Sequence, residues 1–268
     1  MVDIVAIHGI AMNRSSRAAV TAKWSSEIRT GLDNVRSRYA TAVGVECAFY
    51  GHMYNDGKAV DEAEYGASDV DSDFESGLLV AIADATAPSP ETFDGKLYLP
   101  GALQRALAII ERVKLFEGLD AVAISFVKQV NRYLSDSTFQ ERVHDEVSAA
   151  MACEPRIVIG HSLGSIVAYN WLHEHPASRP VHLITIGSPL GLRLISSRLR
   201  TVGWPGNVRL WHNIAAPHDG VATVKELAPI YSPEIRDLLC GSARLSAHSS
   251  ASYLSNVQTA TVIDGSLR

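Results

Sequence analysis

The chain has few cysteines, no cluster of basic residues and no long apolar run. Its three cysteines, Cys47, Cys153 and Cys240, are odd in number and lack CxxC spacing, which argues against a disulfide framework or a zinc site and favours a reducing compartment. Without a Lys/Arg-rich run, and with a formal net charge of -5, the chain does not fit a nucleic-acid partner. A membrane span needs roughly 20 apolar residues in a row, so we expect no transmembrane segment.

The first residues also lack the marks of a signal peptide. Residues 1–7 carry no positive charge, and Asp3 interrupts their apolar stretch. We therefore expect a cytoplasmic protein, of bacterial origin. The 268 residues, 47% hydrophobic and 20% charged, predict a single globular domain that spans residues 1–268.

Strand-like and helix-like segments alternate along the chain. Short apolar or alternating runs predict strands at 2–7, 43–49, 156–160, 181–186 and 208–214. Apolar residues at steps of three or four predict helices at 20–35, 78–85, 103–113, 123–134, 143–151, 166–171 and 251–261. Such alternation predicts parallel crossovers, and therefore an α/β fold with a mostly parallel sheet and helices on both faces.

The strongest motif is Gly160-His161-Ser162-Leu163-Gly164, which fits G-x-S-x-G and lies between a predicted strand and a predicted helix. A turn this sharp holds the serine in a strained backbone conformation and leaves room only for small residues near it. Ser162 is therefore a candidate nucleophile. The Leu163 N–H, at the start of the helix, is a candidate donor to an oxyanion.

With this elbow the chain resembles the α/β-hydrolase superfamily, and more narrowly its lipase-like and GPI-inositol-deacylase-like serine esterases. The resemblance also includes His8-Gly9-Ile10, the segment 184–189, Asp219 and His248. It implies a small α/β-hydrolase fold that begins at the family's third strand. It also implies a second oxyanion donor at the N–H of Ile10, with Ala11 as the alternative.

The resemblance further implies a lid, which we assign to the insertion 52–119. Eight carboxylates and a single lysine lie between Asp56 and Glu75, which is typical of a solvated segment. Two interpretations are open for the apolar residues 78–80 and for the helix that carries Leu103 and Leu107. Either they line an acyl pocket, or they belong to the ordinary core.

A serine hydroxyl needs a base, and the base needs an acid that fixes it. The resemblance implies that the acid and then the histidine follow the serine along the chain. Asp219, in the loop after the strand 208–214, is the expected acid, and Glu226 is the reserve. His248 is the only histidine after Asp219 and is the expected base.

We expect the other candidate histidines to support the site or to lie at the surface. We expect His161, with Gly160 and Gly164, to support the elbow, and His8 to hold its loop by packing. His173 and His175 are interpreted as surface residues without a matching acid cluster. His212 and His218 precede or adjoin the acid, so we expect them to support the site, with His218 as the rival base.

Together these features predict a serine hydrolase without cofactor or metal, which cleaves a carboxylic ester or thioester of a small molecule or lipid through an acyl-enzyme intermediate. Acyl transfer or lipid deacylation by the same triad is one alternative. A non-catalytic binding or interaction module with the α/β-hydrolase fold is the other. The sequence does not specify the acyl chain, the oligomeric state or the pathway.

Overall fold

The computed structural model describes residues 2–10, 12, 14–54, 65, 67–86, 106, 120–175, 179–241 and 247–268. Its strands are β1 Ile4–Ile7, β2 Val45–Ala48, β3 Ile157–His161, β4 Val181–Ile186, β5 Val208–Ala215 and β6 Arg236–Leu239. Its α-helices are α1 Arg17–Asn34, α2 Asp73–Thr86, α3 Asp120–Ser135, α4 Ser137–Met151, α5 Leu163–Glu174, α6 Arg193–Ser196, α7 Ala228–Tyr231, α8 Ser250–Leu254 and α9 Val257–Leu267.

The strands form one six-stranded sheet in the order β2-β1-β3-β4-β5-β6, and every neighbouring pair is parallel. In the centre of the sheet Ile7 of β1 pairs with Ala48 on one side and with Gly160 on the other. Because the strands are parallel, all their carboxyl ends lie at one edge of the sheet. The α/β class predicted from the sequence is confirmed.

Helices cover both faces of the sheet. Successive residues of a strand point to opposite faces, so each strand contributes side chains to both sides. Val5 and Ile7 belong to an apolar cluster with α2, α3, α4 and α5. Ile4 and Ala6 belong to a second cluster with α1, α8 and α9. Each face of the sheet therefore has its own core.

The start of helix α1 and its buried face follow from its local sequence. The Ser16 side chain caps its first turn by accepting a hydrogen bond from the Ala19 N–H at 3.2 Å. Val20, Trp24 and Ile28, at steps of four, are buried against the sheet. The sequence therefore determines both the start of this helix and its buried face.

The last predicted helix is wrong in extent. In place of one helix over 251–261 the structure has α8 and α9, which are separated at Ser255 and Asn256. The Asn256 side chain starts α9 by accepting a hydrogen bond from the Gln258 N–H at 3.0 Å. A cap of this kind favours a new helix over the continuation of the old one.

The insertion predicted as a lid is described only in part. Residues 55–64, 66, 87–105 and 107–119, with Leu103 and Leu107, lie outside the described residues. Leu78, Leu79 and Val80 belong to α2 and are buried in the core that α2 shares with α3, α4 and α5. No helix within the described part of the chain combines the length and apolarity needed to cross a membrane.

Candidate active site

The chain turns sharply at Ser162, between β3 and α5. Ser162 has a φ of 55°, a left-handed value that is uncommon for a residue with a side chain. A Cβ at position 164 would lie 2.0 Å from the Ile7 carbonyl oxygen, and one at position 160 would lie 2.7 Å from the Gly164 carbonyl oxygen. Only glycine fits at these two positions, as the sequence motif predicts.

Three side chains from distant parts of the sequence meet beside this turn. The His248 Nε2 lies 3.0 Å from the Ser162 Oγ, and the His248 Nδ1 lies 2.9 Å from the Asp219 Oδ2. Ser162 and Asp219 are buried, while His248 is partly open to solvent. With its Nδ1–H donated to the carboxylate, the imidazole presents Nε2 as an acceptor to the serine hydroxyl.

Asp219 is held by donors besides the imidazole. Its Oδ1 accepts from the N–H groups of Val221 at 2.8 Å and Ala222 at 3.2 Å, and its Oδ2 accepts from the Tyr253 hydroxyl at 2.6 Å. Burial alone raises the pKa of this carboxyl, but the imidazole of His248 and the hydrogen bonds outweigh it and lower the pKa to about 2. The carboxylate is therefore charged at neutral pH.

Tyr253 is a member of the site that the sequence does not point to. Its hydroxyl accepts a hydrogen bond from the Ala216 N–H at 2.9 Å and donates to Asp219. Burial and the adjacent carboxylate raise its pKa, so it stays a neutral donor. Tyr253 lies in α8, the helix that directly follows His248. Its contact with Asp219 can be recognised only when the position of that helix is known.

The backbone behind the serine is fixed by two further hydroxyls. The Ser165 Oγ donates to the Ser162 carbonyl oxygen at 2.6 Å and lies 2.7 Å from the Ser188 Oγ. Ser188 follows β4 and in turn accepts from the Leu190 N–H at 3.2 Å. The elbow is thereby tied to the loop after the neighbouring strand.

The two expected oxyanion donors belong to backbone segments next to Ser162. Leu163 is the first residue of α5, where N–H groups have no partner inside the helix. The loop after β1 passes so close that a Cβ at Gly9 would lie 2.9 Å from the Ser162 Cβ, and Ile10 lines a cleft of about 180 Å³ together with Ser162 and His248. Ala11, the alternative donor, lies outside the described residues.

Two buried histidines brace this cleft as neutral groups. The His8 Nδ1–H donates to the Gly9 carbonyl at 2.6 Å and its Nε2 accepts from the Tyr50 N–H at 3.2 Å, while burial lowers its pKa to about 4. The His161 Nε2–H donates to the His248 carbonyl at 2.9 Å, and burial and the neighbouring His248 lower its pKa to about 3. Both rings therefore hold backbone rather than titrate near neutral pH.

The positions of the alternative acid and the alternative base differ from those of Asp219 and His248. Glu226 and His218 are exposed, and the Asp219 carboxylate, rather than Glu226, contacts His248. The His212 Nδ1 lies 2.7 Å from the His182 Nε2, inside the sheet.

The surface interpretation of the histidines at the end of α5 needs correction. The ring of His173 is partly buried and packs against Tyr169 at 4.6 Å between centroids. His175 is exposed, but it does have an acid beside it, because its ring, the Glu174 carboxylate and the ring of His144 lie together. The cluster was missed because one of its three members, His144, comes from α4.

Comparison with known proteins adds no relative. No family model matches the chain, and a search of curated proteins finds no match either. The interpretation of the site therefore rests on its own geometry. A serine hydroxyl, an imidazole that can accept its proton and a charged carboxylate, in one hydrogen-bonded row, are the parts needed for nucleophilic attack on a carbonyl carbon.

Proposed function

We propose that the chain is a serine hydrolase that cleaves a carboxylic ester or thioester through an acyl-enzyme intermediate. The observation that carries the proposal is the row of contacts from Asp219 through His248 to Ser162, with the hydroxyl 3.0 Å from Nε2 and the carboxylate 2.9 Å from Nδ1. These separations are within the range in which a proton passes along hydrogen bonds.

In the first half of the reaction the Ser162 Oγ attacks the carbonyl carbon while its proton passes to the His248 Nε2. The carbonyl oxygen becomes an oxyanion, which the N–H groups of Leu163 and Ile10 stabilise. The bond to the leaving group then breaks, and His248 returns its proton to the leaving oxygen or sulfur. The charged Asp219 stabilises the imidazolium that exists between the two proton transfers.

In the second half a water molecule takes the place of the serine. His248 accepts a proton from water as its oxygen attacks the acyl carbon, and then gives that proton to the Ser162 Oγ as the acid leaves. A general base contributes about 10²–10⁴-fold and an oxyanion donor about 10²–10³-fold to such rates.

We further propose that the chain is a divergent member of the α/β-hydrolase superfamily and that it resembles the lipase-like and GPI-inositol-deacylase-like serine esterases of that superfamily. The elbow between β3 and α5, and the acid after β5, support this. The insertion 52–119 is its proposed lid. A cytoplasmic location is also part of the proposal, supported by the free state of Cys47, Cys153 and Cys240.

The first test is covalent labelling by a fluorophosphonate probe. The wild-type chain and a Ser250→Ala control, which changes another serine of the same cleft, are expected to be labelled. Ser162→Ala is expected to show no labelling. Undiminished labelling of Ser162→Ala would disprove the nucleophile assignment, and an unlabelled wild type would favour a non-catalytic binding module.

The second test concerns the base. His248→Ala is expected to lower the cleavage of p-nitrophenyl butyrate by about 10²–10⁴-fold with little change in melting temperature. His218→Ala, an exposed neighbour of the acid, is expected to keep its activity. The reverse result would transfer the role of base to His218. Product analysis with an added alcohol acceptor separates hydrolysis from acyl transfer.

A further inference from the structure

A second group of chemistry-bearing side chains lies at the other end of α5 from Ser162. His144 of α4, Glu174 at the end of α5 and the following His175 each offer one nitrogen or oxygen atom, and these three atoms lie within 4.8 Å of one another. Helix α5 has 12 residues, about 18 Å at 1.5 Å per residue, so this cluster is separate from the proposed catalytic site.

The spacing of the cluster suits a tetrahedral metal ion. Zinc binds histidine nitrogen and carboxylate oxygen at about 2.0–2.2 Å, which places neighbouring tetrahedral ligand atoms about 3.3–3.5 Å apart. The His144 Nδ1 lies 3.4 Å from the Glu174 Oε2. The ligand atom of His175 lies within 4.8 Å of the other two, and the exposed position of this residue leaves its ring room to move closer and complete the set.

The surroundings orient the two imidazoles. The other ring nitrogen of His144, Nε2, lies 2.9 Å from the hydroxyl of buried Tyr133, a hydrogen bond that fixes the orientation of the ring. The His175 ring stacks on Trp171 with 9° between the ring planes and 5.1 Å between their centroids. The hydroxyl therefore orients the His144 ring, and the stacking restricts the His175 ring to small sliding movements.

One positive charge lies beside the cluster. The Arg200 guanidinium is 3.1 Å from the Glu174 Oε1, the carboxylate oxygen that the set does not use. The Arg200 side chain is 65% exposed, so it can turn into solvent when a cation takes its place as the partner of the carboxylate.

We propose that His144, Glu174 and His175 bind a divalent transition metal ion of the zinc type. Two imidazoles and one carboxylate favour Zn²⁺, Ni²⁺, Co²⁺ or Cu²⁺ over Mg²⁺ and Ca²⁺, which prefer oxygen ligands. Three protein ligands leave a fourth position for water. The ion joins α4 to the carboxyl end of α5, the helix whose first turn faces the nucleophile.

The test is calorimetric titration of the full chain with ZnCl₂ after treatment with EDTA. The wild type is expected to bind one Zn²⁺ saturably, and His175→Ala and Glu174→Gln are each expected to weaken binding by at least about tenfold. His52→Ala, which changes an exposed histidine outside the cluster, is expected to bind like the wild type. Circular dichroism without zinc checks that the variants are folded.

Two outcomes would overturn the proposal. One is the absence of saturable binding by the wild type up to about 1 mM Zn²⁺. The other is equal binding by the wild type and His175→Ala with loss of binding in His248→Ala, which would place the ion at the catalytic cleft. A tetrahedral absorption spectrum with Co²⁺ that His175→Ala abolishes would support the ligand set independently.

Discussion

Replacing Tyr253 by phenylalanine tests whether the hydroxyl on α8 positions the acid. The change removes a 2.6 Å hydrogen bond to the charged Asp219 carboxylate, worth about 1.5–3 kcal/mol, and leaves the Ala216 N–H without its acceptor. We expect the free energy of unfolding to fall by about 2–4 kcal/mol. At about 2–4 °C per kcal/mol, the melting temperature should fall by roughly 4–16 °C.

The activity effect separates positioning from stability. Without the Tyr253 hydroxyl the carboxylate can rotate, so His248 is less well aligned and kcat/KM should fall about tenfold, equivalent to about 1.4 kcal/mol in the transition state. Tyr169→Phe is the matched control, since its buried hydroxyl also accepts from an N–H, that of Gly203, and donates to a carbonyl, that of Thr201. It should lose stability with unchanged kcat/KM.

The assay is p-nitrophenyl butyrate cleavage, with unfolding followed by circular dichroism, all well below the melting temperature of the least stable variant. Equal kcat/KM for the wild type and Tyr253→Phe would refute the positioning role. An equal loss of kcat/KM in Tyr253→Phe and Tyr169→Phe would also refute it, because the effect would then follow stability alone.

Two other predictions follow from buried groups. Gly164→Ala should prevent folding or lower the melting temperature strongly, because its Cβ would lie 2.0 Å from the Ile7 carbonyl oxygen. The control Gly265→Ala, whose Cβ would have nothing within 4 Å, should be neutral or stabilising by up to about 1 kcal/mol. Comparable melting temperatures of the two variants would contradict this prediction. The free energy of unfolding, measured in urea, should fall as the pH drops below about 6.5. His8 and His161, with pKa values lowered to about 4 and about 3, each contribute about 1.4 kcal/mol per pH unit, because below 6.5 the unfolded chain binds protons that the folded chain excludes. A free energy of unfolding that stays constant between pH 6.5 and 5 would contradict this prediction.

The elements around Ser162, the proposed nucleophile, were predictable because their sequence signals are local. The strand before Ser162, the turn and α5 each depend on residues next to one another in the chain. By contrast β6, Arg236–Leu239, was not assigned, since it is a short edge strand whose residues are half-buried or exposed and show no clear alternation. The break between α8 and α9 depends on a single cap at Asn256, which the apolar spacing conceals.

The site was predictable where chain order constrains it. The resemblance implies an acid and then a histidine after the serine, and the structure places His248 against Ser162 and Asp219 against His248. Tyr253 could not be selected in this way, because its contact with the acid depends on the angle at which α8 leaves the loop. The cluster of His144 and His175 was missed for a similar reason, since packing of α4 against α5 creates it.

The pairing of β1 determines when the sheet can form during synthesis. Ile4 pairs on one side with Val45 and on the other with Ile157. As the chain leaves the ribosome, one edge of β1 therefore stays unpaired until Ile157 has been made. Ser162, the proposed nucleophile, then waits for the imidazole of His248, which is made 86 residues later. A nascent chain that ends between the two residues has the serine without its proposed base.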